Sequence, residues 1–296
     1  MSPEQRNPRA DTGPSPPSTP AAPPPGPSRR LARTERSAGC REPRAREALD
    51  RFFVEAGLTE DQRERQTFQS RRFDAILRTL GDIGMRPDWR VLDVGAGTGA
   101  LAVAVRSCYG GNFQLADYLE PTDPLRQALG TQGIQQFARC DLTAAEPFAD
   151  LGSSWDLVLF IEVLEHLLVN PVPLLRRLGG LLGPGGSLVL STPNQARLRN
   201  RTNLLRGRTV REKDAFPDHD APTFGHVQEY TVDELHTYLR RAGLEPVSTR
   251  VVQNLPSRTP SRTQRMGTRW LNSGLARRWA LGDEMIVVAK PGGGRP

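Results

Sequence analysis

The sequence predicts an α/β fold in which seven strands form one doubly wound sheet, mostly parallel and closed by a C-terminal antiparallel hairpin. Three observations support this prediction. From about residue 83 onward, short apolar runs alternate with segments of helical periodicity. In Val91–Ala102, one such run is followed directly by a glycine-rich turn and the start of a helix. A long connection joins the final two apolar runs, which favours a closing antiparallel pair.

The predicted strands are short apolar runs of the kind found in buried parallel sheets. In chain order they are Arg90–Val94, Asn112–Asp117, Gln135–Cys140, Trp155–Ile161, Ser187–Ser191, Pro246–Val252 and Glu284–Ala289. Because helical patterns lie between them, we expect a single domain over residues 83–291.

Two different segments precede this domain. Residues 1–44 are rich in proline and arginine with almost no large apolar side chain. Such a segment cannot bury enough apolar surface to offset its ordering entropy, which predicts a disordered tail. Residues 45–82 have helical spacing, with Thr59 as a candidate N-cap between two helices. This helical cap is expected either to cover the ligand cleft or to pack on the sheet edge. A second disordered tail is predicted at 292–296.

Two insertions interrupt the domain, and both are rich in arginine. The first, at about 195–225, follows the fifth strand and is placed to act as a substrate lid. Its Phe216 and Phe224 are candidates to line an acceptor pocket or to pack in the core. The second, at about 257–278, follows the sixth strand, which is expected to run antiparallel, so its position relative to the ligand edge is left open.

The charge and amino-acid composition limit the kinds of partner that the protein is expected to bind. The formal charge of +7 suits a nucleic-acid partner, but net charge reports on non-specific association and not on fold. Only Lys213 and Lys290 are lysines, and this arginine bias points instead to a GC-rich coding sequence. A nucleic-acid partner is therefore kept as an alternative that is not favoured.

Cysteine use and hydropathy predict a cytoplasmic protein. Cys40, Cys108 and Cys140 are too few and too scattered for a disulfide framework or a zinc site, and they fit reduced thiols. The N-terminus lacks the apolar region of a signal peptide, and no run approaches the roughly 20 apolar residues of a membrane span.

The glycine turn Gly95-Ala96-Gly97-Thr98-Gly99 predicts a nucleotide-like ligand, because glycine lets backbone approach a ligand closely. The turn also fits the variant dinucleotide fingerprint, so taken alone it leaves the cofactor open. Asp93 lies two residues before the first glycine. A carboxylate there would repel a pyrophosphate and stabilise a sulfonium or ammonium group, which favours S-adenosylmethionine.

Further acids follow the next strands. Asp117 ends the second strand, where a carboxylate can accept both ribose hydroxyls, and Glu120 is the alternative. Asp141 follows the third strand and is a candidate either to accept from the adenine amino group or to cap a helix. The fourth strand runs directly into Glu162-Val-Leu-Glu-His166.

Over about residues 70–291, the motifs and their order resemble those of class I S-adenosylmethionine-dependent methyltransferases. The motifs are Asp93-Val-Gly-Ala-Gly-Thr-Gly99, Asp117, Cys140-Asp-Leu142, Trp155-Asp-Leu-Val, Glu162-Val-Leu-Glu-His-Leu167 and Leu182-Gly-Pro-Gly-Gly…Ser191-Thr-Pro-Asn194. The resemblance implies a Rossmann-like fold and a methyl-transfer enzyme. It also implies that Gly95, Ala96, Gly97 and Gly99 lie against the methionine part of the cofactor, that Asp117 binds ribose, that Asp141 and Leu142 bind adenine, and that Glu162 faces the methyl-transfer cleft.

Two subgroups share the motif Glu162–His166 and the later Gly225-His-Val-Gln-Glu-Tyr-Thr231. One resemblance is to small-molecule O-methyltransferases, which include ubiquinone-biosynthesis and natural-product enzymes. The other is to small-RNA 3′-terminal 2′-O-methyltransferases, whose Glu-x-x-Glu-His segment and a later histidine bind a divalent metal.

A metal site has physical support. If a helix starts at Glu162, the side chains of Glu162, Glu165 and His166 point to one side. His226 or, as the weaker candidate, His219 would add a fourth ligand, and such a set suits Mg²⁺, Mn²⁺ or Zn²⁺. Without metal, His166 would be the first candidate for general base and His226 the second, because a free imidazole titrates near 6.5.

These observations predict an S-adenosylmethionine-dependent methyltransferase, and the resemblance to the first subgroup implies that it acts on a small-molecule hydroxyl, although no residue distinguishes O- from N- or C-methylation. The alternative is metal-dependent methylation of an RNA 3′ end. The arginine-rich lid would suit phosphates, but it lacks the interleaved aromatic residues of a single-strand platform. A cofactor-binding partner without activity is disfavoured, because the acids at 93, 117, 141 and 162 are intact. The identity of the acceptor and the oligomeric state are not specified by the sequence.

Overall fold

The computed structural model describes residues 42–69, 72–210, 225–254, 261–274, 276 and 279–293. Most of the predicted N-terminal tail lies outside these residues, as do the ends of the chain beyond 293. The same holds for 211–224 of the first insertion, with Phe216, His219 and Phe224, and for 255–260 of the connection after the sixth strand.

Seven strands form one sheet with the spatial order β3-β2-β1-β4-β5-β7-β6. Their bounds are β1 Arg90–Val94, β2 Asn112–Asp117, β3 Gln136–Arg139, β4 Trp155–Ile161, β5 Leu182–Pro193, β6 Leu244–Val252 and β7 Glu284–Pro291. β1 to β5 pair in parallel, and β7 pairs antiparallel with both β5 and β6. The predicted α/β fold, mostly parallel with a closing antiparallel hairpin, is confirmed.

The direction expected for the sixth strand is wrong. Because β7 lies between β5 and β6 and is antiparallel to both, β6 runs in the same direction as β1 to β5. β6 therefore ends at the same sheet edge as the parallel strands, which is the edge where open α/β sheets bind ligands. The second insertion leaves from that edge.

Nine helices are found in the described part of the chain. They are α1 Glu42–Glu55, α2 Glu60–Gln69, α3 Phe73–Asp82, α4 Ala100–Tyr109, α5 Asp123–Thr131, α6 Pro171–Gly180, α7 Leu198–Leu205, α8 Val232–Arg241 and α9 Arg262–Leu271. α1 begins three residues before the predicted boundary at 45. α7 and α9 lie in the two predicted insertions.

Each face of the sheet carries its own hydrophobic core, as alternation along β4 shows. Leu157 and Leu159 point to the face covered by α1, α3 and α4, whereas Val158 and Phe160 point to the face covered by α6 and α8. All four side chains are fully buried. The sheet is therefore covered by helices on both sides, as a doubly wound fold requires.

The N-terminal helices pack on the first of these two faces. Phe52 and Phe53 of α1 and Ile76 of α3 are fully buried in its core, and α1 contacts α4 and α5. The Gln62 backbone N–H donates to Thr59 Oγ1 at 3.3 Å, and the Thr59 N–H donates to Gln62 Oε1 at 2.9 Å. This reciprocal pair confirms Thr59 as the N-cap of α2.

The cysteines differ from the sequence-based expectation at one position. Cys140 is a free, buried thiol, whereas Cys108 is disulfide-bonded, so the expectation of three reduced thiols is wrong. Among the described residues, none of the helices has the length and apolar character that crossing a membrane requires.

Candidate functional site

The glycine turn after β1 depends on backbone conformations that favour glycine. Gly95 and Gly99 have φ angles of +74° and +75°. A Cβ at Gly95 would lie 2.3 Å from Val163 Cγ2, so the strand end and the segment after β4 can meet only because this side chain is missing. The Gly95 and Ala96 N–H groups both donate to Ala116 O, at 2.8 and 3.3 Å, which fixes the turn to β2.

Asp117, at the end of β2, is tied to the same turn. Its Oδ2 accepts from the Gly97 N–H at 2.8 Å, and its Oδ1 accepts from the Leu119 N–H at 3.1 Å. A carboxylate oxygen can accept more than one hydrogen bond, so both oxygens still have capacity for ribose hydroxyls. Glu120 is 64% exposed and pairs with Arg126 on the surface. The geometry therefore favours Asp117 over Glu120 as the ribose-binding candidate.

Asp93 lies near the end of β1, next to the glycine turn. It is 2% exposed, and its Oδ2 has no hydrogen-bond partner among the described residues. Burial, with a smaller effect from the Asp117 charge, raises the pKa of Asp93 to about 7. A buried carboxyl group without a partner is costly, and a cationic ligand group would offset that cost.

A small cavity opens at this position, and we call it the smaller cavity. Its volume is about 130 Å³. Its walls are formed by Gln66, Arg72, Phe73, Asp93, Gly95, Ala96, Thr98, Ala100, Leu101, Ile161 and Glu162. The orphaned carboxyl oxygen, the missing side chain at Gly95 and the acid at the end of β2 fit the methionine and ribose parts of S-adenosylmethionine.

Asp141 and Leu142 follow β3, in the neighbouring loop. Asp141 Oδ1 accepts from the Thr143 hydroxyl at 2.6 Å and from the Thr143 N–H at 2.9 Å. The hydroxyl contact, followed by the N–H contact, lowers the pKa of Asp141. The chain continues as turns, so the alternative that Asp141 caps a helix is wrong. Leu142 is partly buried against the second hydrophobic core.

Glu162 directly follows β4 and has an unusual backbone conformation. Its φ angle is +55°, a left-handed value that is uncommon for residues other than glycine. Its carboxylate accepts from Arg72 Nη1 at 3.0 Å and from Ser191 Oγ at 2.8 Å. Strained backbone of this kind is concentrated at functional sites. The side chain of Glu162 lines the smaller cavity and pairs with Arg72, the residue before α3.

The predicted helix from Glu162 to His166 is wrong. The chain forms a 3-10 turn over Leu164–His166, and the left-handed Glu162 precedes it, so Glu162 turns toward Arg72 and does not share a face with Glu165 and His166. In the part of the chain that the structure describes, the group able to hold a metal ion is Glu165, His166 and His226, without Glu162.

Glu165 is fully buried. Its Oε2 accepts from Thr192 Oγ1 at 3.0 Å, and its Oε1 has no hydrogen-bond partner but lies 3.9 Å from His166 Nε2. Burial, and then the Glu162 charge, raises the pKa of Glu165 well above its ordinary value. This orphaned oxygen faces the imidazole, which fits a shared ligand.

The two histidines stand edge to face. Their ring centroids are 5.0 Å apart, and the ligand atoms of His166, His226 and Glu165 lie within 4.8 Å of one another. His166 Nδ1 is 3.2 Å from Gly225 O, and His226 Nδ1 is 3.3 Å from Glu229 Oε1. These second contacts orient both rings, as is usual for metal-binding or catalytic histidines.

Glu229 is itself held by Arg197, whose Nη1 lies 2.7 Å from Glu229 Oε2. Burial raises the pKa of Glu229, but the hydrogen bonds from His226 and Arg197 and their charges outweigh it, so the net shift is downward. Glu229 is thus a partly buried anion that fixes the His226 ring.

A second, larger cavity adjoins the first, and we call it the larger cavity. Its volume is about 570 Å³. Its described walls are Arg72, Glu162, Pro193, Arg197, Leu198, Arg199, Thr202, His226, Glu229, Gln253, Asn254, Leu271, Asp283 and Glu284. Arg72 and Glu162 belong to both cavities, whereas His166 lines neither.

Two residues near the place where the two cavities meet were not predicted from the sequence. Glu284 is 4% exposed at the start of β7, and burial, then the Glu162 charge, raises its pKa to about 8. The acidic residue at the start of the apolar run Glu284-Met-Ile-Val-Val-Ala289 could have indicated a functional role from the sequence. Arg72 gave no signal, because it stands among other arginines in a segment predicted only to be helical.

The chain is similar to methyltransferases over most of its length. A family model described as "Methyltransferase domain" matches residues 41–249. The chain is 34% identical over 185 residues to a ubiquinone biosynthesis O-methyltransferase of Ruegeria pomeroyi, an alignment that covers 60% of this chain and 71% of the relative. It is 31% identical over 159 residues to the enzyme of the same name from Cereibacter sphaeroides, covering 53% of this chain and 61% of the relative.

A solved structure shares the fold. It is the complex between the Haloferax volcanii Trm112 methyltransferase activator and a methyltransferase. The matched chain superimposes with a TM-score of 0.53 at 17% identity, covering 84% of this chain and 99% of that one. At this identity the match shows the fold alone.

Proposed function

Because this chain belongs to the class I S-adenosylmethionine-dependent methyltransferases, we propose that it methylates a hydroxyl oxygen of a small-molecule acceptor. One observation carries the proposal: the smaller and the larger cavity meet at the pair Arg72 and Glu162. A donor bound in one cavity and an acceptor bound in the other would face each other there. The two relatives described above are named O-methyltransferases, which supports oxygen as the acceptor atom.

In the proposed donor site, the backbone of the glycine turn and the acidic side chains bind different parts of the cofactor. When bound, S-adenosylmethionine supplies a methyl group activated by the sulfonium charge. The turn Gly95–Gly99 allows close approach of the cofactor, and Asp93 offers a buried carboxyl group to its cationic end. Asp117 would accept the ribose hydroxyls, and Asp141 with Leu142 would contact the adenine.

In the proposed acceptor site, His226 is the leading candidate for general base. It lines the larger cavity, and its Nδ1 contacts Glu229. The other ring nitrogen, Nε2, is therefore the one that could take a proton from the acceptor. A base must lie within hydrogen-bond reach of the proton that it removes. His166 becomes the second candidate, because it lines neither cavity. Glu162 and Arg72 would position the reacting groups where the cavities meet.

A divalent metal is the competing role for the same imidazole. The orphaned Oε1 of Glu165 and the two histidines form a donor set that suits Mn²⁺ or Zn²⁺ better than Mg²⁺, which prefers oxygen ligands. A bound metal would lower the pKa of an acceptor hydroxyl and would exclude His226 as base.

Metal binding can be measured on the purified protein without a substrate. Calorimetric titration of the EDTA-treated protein with Mn²⁺ or Zn²⁺ should show one site, and His166→Ala should weaken it at least about tenfold. His236→Ala is the matched control, since His236 bonds Thr249 outside the site. Equal metal affinity of both variants would contradict the metal proposal.

The test of the function combines donor binding and turnover. We expect Asp117→Ala to weaken S-adenosylmethionine binding at least about tenfold, because two backbone contacts and the ribose contacts are lost. Glu120→Ala is the control, as its carboxylate lies on the surface. Turnover is then screened with isotope-labelled donor and hydroxylated small molecules. Unchanged donor affinity in Asp117→Ala would contradict the assignment of the smaller cavity.

The RNA alternative is less well supported. Arg197 is bound to Glu229, and Arg201 donates to Ala196 O and Trp279 O, so these two arginines of the first insertion are engaged within the protein. A salt titration of binding to a single-stranded RNA discriminates between the two functions. Absence of RNA binding at low salt would remove this alternative. A cytoplasmic location remains part of the proposal and can be tested by cell fractionation.

A further inference from the structure

The larger cavity has the size of a small-molecule site. Its volume of about 570 Å³ falls within the roughly 300–1,000 Å³ of ligand pockets. It lies where β5 and β6 end and β7 begins, with α7 and α9 each contributing to the wall. What it binds can be inferred from the chemistry of that wall.

Most side chains in this wall end in a polar or charged group. Of its fourteen described residues, three have apolar side chains, namely Pro193, Leu198 and Leu271. Ligand pockets are generally lined by apolar and aromatic side chains with a few polar groups. A long apolar chain bound here would strip water from the remaining polar groups without replacing their hydrogen bonds, which is unfavourable.

Most of the charged groups in this wall already have partners. Arg72 pairs with Glu162, and Arg197 pairs with Glu229. Because these charges are paired within the protein, binding to them does not require a charged group on the ligand.

The carboxyl groups at the start of β7 are different. Neither Asp283 nor Glu284 forms an ion pair with another described residue, although Asp283 accepts from Gln253. Asn254 Nδ2 donates to Glu284 Oε2 at 2.6 Å, whereas Oε1 is buried and has no hydrogen-bond partner among the described residues. The Ser191 hydroxyl also contacts Glu284, but its single proton is donated to Glu162 Oε1 at 2.8 Å.

A polar group of the ligand would satisfy this buried oxygen. A hydroxyl group both donates and accepts hydrogen bonds, so it can satisfy Glu284 whichever protonation state the carboxyl group has. Asp283, Gln253 and Thr202 offer further donors and acceptors along the same wall.

We propose that the larger cavity binds a compact acceptor rich in hydroxyl groups, such as a sugar-bearing compound, and that Glu284 Oε1 hydrogen-bonds one of them. This inference rests on the proposed function, since it names the acceptor class of the same site. Glu284 is a substrate-binding residue in this proposal, and a ligand that places a long apolar chain against Glu284 is expected to bind more weakly.

Two probes with the same catechol ring separate the classes. One is the β-glucoside of 3,4-dihydroxybenzyl alcohol, and the other is the geranyl ether of the same alcohol. Each is titrated by calorimetry into the full chain saturated with S-adenosylhomocysteine, whose own binding is measured first. We expect the glucoside to bind at least about tenfold more tightly than the geranyl ether.

Variants locate the contact. Glu284→Leu keeps a side chain of similar size but removes both carboxyl oxygens, so the hydrogen bond to the acceptor hydroxyl is lost whichever group donates it. We expect this variant to weaken glucoside binding about tenfold while S-adenosylhomocysteine binding is unchanged. Glu245→Leu, at an exposed position of β6 where Glu245 pairs with Arg240, is the control. Asn254→Ala, which frees the Glu284 side chain, should act in the same direction and serves if Glu284→Leu does not fold.

The possible results of these titrations test the inference and the proposed function separately. Tighter binding of the geranyl ether, binding of neither probe, or an unchanged glucoside affinity in both cavity variants would overturn the inference and leave the proposed function intact. If the wild-type chain fails to bind S-adenosylhomocysteine, the proposed function falls and the inference falls with it.

Discussion

The smaller and the larger cavity are neighbours, yet the chain builds them by different means. More than half of the smaller cavity's wall comes from the stretch 93–101 and depends on backbone conformation. The larger cavity is assembled from side chains that lie far apart in sequence, from Arg72 to Glu284. A site made by one backbone segment is rigid and intolerant of substitution, whereas a site made by separate side chains can vary while the fold persists.

The largest effect is expected where the backbone itself forms the site. Gly95→Ala should lower the free energy of unfolding by about 2–4 kcal/mol and abolish measurable donor binding, because the new Cβ meets Val163 at a left-handed φ. Gly97→Ala, which has a similar φ but open space, should cost about 1–2 kcal/mol. Chemical denaturation measures both. Equal losses would show that the contact with Val163 does not matter.

The next effect concerns the pair that the cavities share. Glu162→Gln should reduce kcat/KM for methyl transfer about 10- to 100-fold, because it removes the anion that pairs with Arg72 where the methyl group would be transferred. Steady-state kinetics with the acceptor identified by screening gives the value, and Glu120→Gln is the control. A loss confined to donor affinity would place Glu162 in the smaller cavity alone.

A smaller effect is expected from pH. Asp93 must be ionised to stabilise a cationic ligand group, and its pKa is about 7, so donor affinity should rise about tenfold between pH 6 and pH 8. The direction follows because the raised pKa keeps the proton on the carboxyl group below pH 7 and releases it above. Calorimetry across this range measures the effect. Asp93→Asn should bind more weakly at pH 8 and lose this pH dependence; the same slope in both proteins would assign it to the ligand.

The smallest effect is expected on the side-chain wall of the larger cavity. Arg199 is exposed there, so Arg199→Ala should change the free energy of unfolding by less than about 0.5 kcal/mol and donor affinity by less than about twofold. Denaturation and donor titration test this. A clear loss of donor binding would mean that the two cavities are energetically coupled and that the contrast between them is wrong.

The same contrast explains what the sequence could predict. The bounds of β1, β2 and β4 were predicted correctly, and the turn and the acids Asp93 and Asp117 lie together as expected, because local periodicity and glycine spacing determine them. β5 begins at Leu182, five residues before the predicted start at Ser187, because glycine and proline do not indicate a strand and the pairing with β4 is irregular there.

The missed features are those that tertiary contacts decide. The left-handed conformation of Glu162 separates it from Glu165, and no local signal in Glu-Val-Leu-Glu-His predicts that. Glu284 and Arg72 reach the place where the cavities meet only because β7 lies beside β5 and the chain before α3 packs so that Arg72 contacts Glu162. The direction of β6 was predicted wrongly for the same reason, since strand order is a property of the whole sheet.

The position of β7 between β5 and β6 also sets the order of assembly during synthesis. β5 and β6 leave the ribosome before β7, yet each pairs with β7 and not with the other. Until β7 emerges, the growing chain exposes the open edge of β5 and a sixth strand with nothing to pair with, which are features that promote aggregation. The half of the sheet that carries the larger cavity should therefore be the last to form and the part that depends most on chaperones.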